Sequence, residues 1–274
     1  MKEAQPHRAF DWPVDTELAG HAPLLADLPP LPQPAPLTPP SFARAPRPIP
    51  LWPLPVIAAL LPAIAVAFAL AMYRNADGSF CNPFYDDCVS ISRMAKYGAP
   101  NEMFRVFVLP GAVLQALTWL AATRAFATAG LPRRERSLLA VVGLLAGCAL
   151  VVYASFLGTD GAAYAWLRKN GTLLYFGGTY VAMLLFVRGL QRLEARELLV
   201  VPPSRHRLLV GLLLFITGIC LVHGFASLLN LHDLVVRIQN LTEWWGSLAL
   251  TFAFGTIASL WRGWELALNL ELGA

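Results

Sequence analysis

Residues 51–72 read LWPLPVIAALLPAIAVAFALAM, twenty-two residues without one charged side chain. As a helix this run is roughly 33 Å long at 1.5 Å per residue, enough to cross a hydrocarbon core of about 30 Å. Five more stretches repeat the pattern, at about 106–128, 137–158, 172–188, 208–230 and 242–261. The second carries Pro110, expected to kink it or to mark its first turns. The fourth is short and holds Gly177 and Gly178. The sixth opens with Glu243-Trp244-Trp245. The expected fold class is therefore all-α: a polytopic membrane protein with six transmembrane helices.

Composition agrees. Hydrophobic residues make up 57% of the 274-residue chain and charged residues 14%, against about 25% charged in an ordinary soluble domain. The basic residues are 18 Arg and 3 Lys. With the abundance of Ala, Leu and Pro, this skew fits a GC-rich bacterial genome. The net charge of +4 needs no nucleic acid, because the basic residues gather at span ends and no soluble basic patch with interleaved aromatics exists.

Fifteen of the 22 prolines lie within residues 1–55. Proline removes backbone donors and locks φ, so residues 1–50 read as a disordered, partly polyproline-II tail, either a spacer or a PxxP ligand for a partner domain. No apolar core precedes residue 51, so the start does not read as a signal peptide. Twelve arginines, from Arg44 to Arg262, fall on one side of the spans, against Arg74, Arg93, Lys96, Arg105, Arg168, Lys169 and Arg237 on the other. The positive-inside rule then places both termini in the cytoplasm, in a bacterium across the inner membrane.

The longest outer segment is expected at 73–105, with shorter loops at about 159–171 and 231–241. Long loops are more often functional than decorative. Cys81 and Cys88, flanking Asn82–Asp87, either form a disulfide on an oxidising face or remain two free thiols. Cys148 and Cys220 read as mid-span packing residues. Asp86 and Asp87 are either a cation or acid/base pair or an exposed acidic turn. Glu243, at the mouth of the sixth span, must find a partner or water. It either faces a polar site inside the bundle, with Arg105, Arg237, His223 or His232 as partners, or snorkels to the interface beside its tryptophans. His223, inside the fifth span, is either a proton carrier or a histidine bonded between helices. His232 and Asp233 are expected in a loop. Glu102 and Arg105 complete the candidate pocket or lipid-headgroup set. GxSxG, HExxH, Walker A and dinucleotide motifs are absent, and neither metal-ligand spacing nor cofactor motif occurs. Gly143 and Gly147 form a GxxxG suited to close helix packing.

Three stretches carry a resemblance: CNPFYDDCVSISRMAKYGAPNEMFRVFVLPG, SFLGTDGAAYAWLRKNGTLLYFGGTYVAMLLFVRGLQR and LTEWWGSLALTFAFGTIASLWRGWEL. Together, over residues 51–268, they resemble the FRAG/DRAM/SFK family of six-span membrane proteins, which includes damage-regulated autophagy modulators and a post-GPI-attachment lipid-remodelling protein. Cys81, Ser90, Ser92 and Pro100 match its loop pattern, Glu243-Trp244 its last-span opening, and Glu265 its terminal acidic residue. The segment Pro100–Arg105 is one residue shorter than that pattern. Arg262-Gly263-Trp264 stands where the pattern has an aspartate. The resemblance implies a role in lipid homeostasis or remodelling at the extracytoplasmic leaflet, binding or regulatory. Membrane lipids are then the partners, with a membrane-protein partner or a second copy also open. A membrane-embedded acyltransferase or lipid hydrolase using Glu243, a histidine and the first outer loop is the alternative. A small-solute transporter is a further one, opposed by the lack of an internal repeat.

Overall fold

The computed structural model describes residues 49–74, 78–262 and 265–266, all of them in one compact unit, Pro46–Ala274. The proline-rich tail lies outside the described residues except for its last two. Ile49–Pro50 (β1) pairs antiparallel with Glu265–Leu266 (β2), Ile49 opposite Leu266, so the expected tail boundary at residue 50 falls inside an ordered pair.

Seven helices are present among the described residues: α1 Pro53–Met72, α2 Ile91–Met94, α3 Gly98–Thr128, α4 Arg133–Phe156, α5 Ala162–Glu194, α6 Pro203–Leu228 and α7 His232–Leu260. Five of them, α1 and α3 to α6, are long and apolar enough to cross a membrane, and the chain is built as a multi-pass membrane protein. α7 has the length, 29 residues. Its first half, however, carries Arg237, Asn240, Glu243 and two tryptophans, which dilute its apolar character.

The helices overrun their apolar cores. α3 begins at Gly98 rather than near 106, α5 at Ala162 rather than 172, and α7 at His232 rather than 242. The outer loops expected at 159–171 and 231–241 are thus mostly helix, and His232 and Asp233 open α7 instead of lying in a loop. Pro110 sits well inside α3, not in its first turns. The reason is cooperative. Once a helix is nucleated, each added residue gains a backbone hydrogen bond, so it continues past the apolar stretch until a breaker stops it. Gly130 at φ 75° and Pro132 end one hairpin, and Gly158 at φ 85° with Gly161 at φ 121° the next.

α1 lies against α3 and α7, α4 against α3 and α5, and α6 against α7, while α5 and α6 barely touch. The helices therefore follow one another as α6, α7, α1, α3, α4 and α5, with a seam between the last and the first. Close approach depends on small residues, as is usual where lipid removes the hydrophobic drive for helix association. Gly143 packs on Trp119, and Gly147 on Ala116 and the Ala112 carbonyl. Pro62, inside α1, cannot donate to the Ala58 carbonyl four residues back. The Gln115 amide of α3 donates to that freed carbonyl at 3.2 Å.

The buried side chains form two clusters. One is centred on Trp119, Phe126, Phe186, Phe254 and Trp261 toward the end bearing the α3–α4 and α5–α6 turns. The other is centred on Phe104, Val108, Tyr153 and Trp244 and takes in Cys81 and Val89 of the α1–α2 loop and Ile91 and Met94 of α2. The segment between α1 and α3 is therefore part of the core.

Candidate functional site

The site grows from the segment between α1 and α3. Cys81 and Cys88 are joined in a disulfide. Inside that ring Asn82 organises the chain: its side-chain oxygen accepts from Phe84 N at 3.2 Å, its carbonyl accepts from Asp86 N at 2.8 Å, and its own N–H donates to the Asp86 carboxylate at 3.1 Å. Asp86 is exposed and spent on this local turn. Asp87 takes a left-handed φ of 47°, tolerated by Asp more readily than by most residues. Ser90 then starts α2, its hydroxyl accepting from Arg93 N at 3.2 Å.

One face of α7 holds this segment. Arg237 pairs with the Asp87 carboxylate, and the Asn240 amide donates to the Asp87 carbonyl at 2.7 Å. Trp244 Nε1 donates to Val89 O at 2.8 Å, and Trp245 Nε1 to Phe84 O at 3.2 Å. Phe84 meets both indoles edge-on at 5.3 and 5.4 Å. Positions 237, 240 and 244 recur at helical spacing, so a single stripe reads the loop backbone.

Glu243 sits in the middle of that stripe. Its carboxylate accepts from the N–H groups of Ile91 and Ser92 and from the Ser92 hydroxyl, and Arg93 is the cation acting on it. These N–H groups open α2 and have no partner within it. A carboxylate from a distant helix satisfies them, with the sign that a helix N-terminus favours. Ser92 in turn hydrogen-bonds Tyr153 of α4 and lies 3.2 Å from the Ser90 hydroxyl.

The other expected pocket residues divide. Arg105 does not join Glu243. It donates to the Leu157 carbonyl at 2.7 Å, beside Asn101, which reaches the same carbonyl at 3.1 Å and Ala95 O at 2.9 Å. Arg168 donates to Phe156 O and Thr159 O. These donors satisfy the final carbonyls of α4 with the charge that a helix C-terminus favours. Arg105 was expected level with Glu243 because both were placed at the outer ends of their spans, but α3 starts at Gly98 and α7 at His232, well before either residue, and Arg105 has an α4-end carbonyl as its partner. Glu102 is exposed and lines no cavity described here. His223 is half-buried on α6, lines the larger cavity below, and its Nδ1 has no hydrogen-bond partner among the described residues. The side chain of His232 lies outside the described residues. Cys148 and Cys220 are exposed on the bundle surface, not packed within it. Among the described residues, no group of His, Cys, Asp or Glu is placed to hold a metal ion.

Two cavities meet at Glu243. The smaller, about 290 Å³, lies within the bundle, walled by apolar residues such as Val66, Val108 and Phe254, with polar groups that include Gln115, Tyr175, Glu243, Ser247 and Thr251. The larger, about 1090 Å³, lies along the α5–α6 seam between Leu173, Phe176, Ile216 and Leu221. Ser92, Tyr153, Thr172, Phe176, Glu243 and Leu250 border both. The seam closes at mid-length, where the Tyr180 hydroxyl meets Thr217 Oγ1 at 2.6 Å. From there it opens toward the disulfide loop. Its mouth is lined by Arg93, Lys96, Arg168 and Lys169. Sequence reading counted these four only as topology charges. Their signal was the Arg-x-x-Lys spacing running from α2 to just past its end, and the Arg-Lys pair in the opening turns of α5.

No family model, curated protein or solved structure matches the chain.

Proposed function

We propose that this chain is a six-span inner-membrane protein that binds lipid from the extracytoplasmic leaflet, in a binding or regulatory role in lipid homeostasis. In this reading α7 crosses as the sixth span, both termini are cytoplasmic, and the disulfide loop faces outward. The observation that carries it is the α5–α6 seam. A cavity of about 1090 Å³, apolar along its length and polar at one end, opens sideways through Leu173 and Leu221, which are 68% and 67% exposed. A bundle that only had to cross the membrane would close such a gap by packing. The pattern-level likeness to the FRAG/DRAM/SFK family supports the same role.

The test is native mass spectrometry of the protein extracted from its membrane, together with lipid profiles of a deletion strain. Copurified lipid and an altered profile, restored by the wild-type gene but not by one carrying Glu243→Gln, are expected. Lipid-free protein with an unchanged profile overturns the reading.

A second reading has its own observation. The Ser92 hydroxyl donates to the Glu243 carboxylate, and His223 lines the same cavity. This is the kind of pairing that an acyl-transferring nucleophile and base require. Glu243, however, already accepts two backbone bonds that hold α2 in place, which favours a structural carboxylate over a base. Turnover of an acyl lipid by purified protein, lost in Ser92→Ala, is the result that brings the enzyme forward.

A further inference from the structure

Seven basic residues stand at the disulfide-loop end of the bundle, the end that the positive-inside rule tends to empty of cations. Four of them, Arg93, Lys96, Arg168 and Lys169, line the mouth of the α5–α6 seam. None of the four is in an ion pair among the described residues, where the ion pairs are Arg192–Glu135 and Arg237–Asp87. Arg168 spends donors on neutral carbonyls, and the Lys96 ammonium rests 4.6 Å from the Tyr97 ring centre. Among the described residues the carboxylate lining the seam is Glu243, which faces both the α2 N–H groups and Arg93 and so offsets at most one of the four cations. The mouth therefore carries net positive charge, with Arg93 and Lys96 lining the cavity from one side and the opening turns of α5 from another. Below it the walls are mainly apolar, with Thr172 and His223 among them, down to the Tyr180–Thr217 bond.

Resting on the lipid-binding reading above, we infer that the α5–α6 seam is selective for an anionic phospholipid, its phosphate held by Arg93, Lys96, Arg168 and Lys169 and its acyl chain laid along Leu173, Phe176 and Leu221. Charge complementarity decides the headgroup, since clustered Arg and Lys donors favour a phosphate without a balancing cation. A zwitterionic headgroup brings its own ammonium into the same positive field. The sideways opening decides the source: a lipid can slide in from the leaflet with its chain still in hydrocarbon, and a soluble anion gains nothing from the apolar wall.

The experiment uses the full chain in neutral detergent and measures binding of acyl-labelled fluorescent phosphatidylglycerol and phosphatidylcholine with identical chains. Wild type is expected to prefer phosphatidylglycerol about tenfold, the effect of one net charge-assisted hydrogen bond. K96Q/K169Q should reduce that preference to about twofold, with an unchanged thermal unfolding curve in detergent as the sign of an intact fold. L221D should weaken both lipids alike. Equal wild-type affinities overturn the headgroup selectivity and leave lipid binding standing. A preference unchanged in K96Q/K169Q also overturns it. Full displacement of the labelled lipid by millimolar inorganic phosphate assigns the mouth to a soluble anion and overturns it as well. Absence of binding by either lipid removes the lipid-binding reading itself.

Discussion

Glu243 does its work through two backbone N–H groups and one hydroxyl, and the consequences of changing it follow from that. Glutamine keeps the shape but offers one acceptor oxygen where the carboxylate offers two, and turns an NH2 toward donors. One N–H of α2 is left without a partner at a half-buried position, a loss of about 1–3 kcal/mol. Glu243→Gln should therefore lower the unfolding midpoint in detergent, whatever it does to lipid. Trp244→Phe is the milder companion: it keeps most of the ring, which is 3% exposed, and removes the bond to Val89 O, costing about 1 kcal/mol. A thermal or denaturant scan of both variants checks the order. If Glu243→Gln is as stable as wild type, the capping role is wrong.

At the scale of elements, two joints invite test. α3 and α4 meet through Gly143 and Gly147, where an added Cβ would run into Trp119 and Ala116. Gly143→Ala should destabilise by about 1–3 kcal/mol through overpacking. Gly211, on α6, has nothing within 4 Å of an added Cβ. Gly211→Ala should be neutral or stabilising by about 0.5–1 kcal/mol, since alanine loses less backbone freedom in a helix. Unfolding midpoints that fail to separate the two refute the assigned packing. The second joint is the disulfide loop. Closing so short a ring contributes about 2 kcal/mol in the chain-entropy account. The Cys81→Ser/Cys88→Ser variant should loosen the loop while Val89, Ile91 and Met94, all buried, still anchor its far end. Faster proteolysis within 78–90, with the spans protected, is the expected pattern.

For the whole molecule, the decisive measurement is sidedness. Tyr97, 58% exposed before α3, and Val200, 89% exposed between α5 and α6, stand at opposite ends of the bundle. Single cysteines placed there, in a chain whose Cys148 and Cys220 are replaced by alanine, report the two faces separately. With cytoplasmic termini, a membrane-impermeant maleimide labels Tyr97→Cys in intact cells and Val200→Cys only after permeabilisation. The opposite pattern inverts the topology and moves the cationic mouth to the cytoplasmic leaflet. Labelling of both from outside rules out the six-span arrangement.

The apolar helices were legible from sequence because hydropathy is a local property: a run such as 137–158, with no charge in twenty-two residues, has few alternatives in water or lipid. The sequence alone also pointed to Glu243 as a group in need of a partner, because a charge at a span mouth is costly wherever the chain goes. Which partner it takes is non-local. Asp87 meets Arg237 across 150 positions and Val89 meets Trp244 across 155, and no spacing rule reaches that far. Arg105 illustrates the failure: equal depth made it a plausible mate for Glu243, but depth says nothing about which side of a helix faces which neighbour. Helix ends were misplaced for a related reason, since apolarity marks where lipid begins while capping and turn residues mark where the helix stops. The α5–α6 seam was beyond sequence altogether. A cavity is the space left by helices that pack elsewhere, here α5 against α4 and α6 against α7. The four cations at its mouth acquire a common purpose only when that packing sets Arg93 and Lys96 around the same cavity as Arg168 and Lys169.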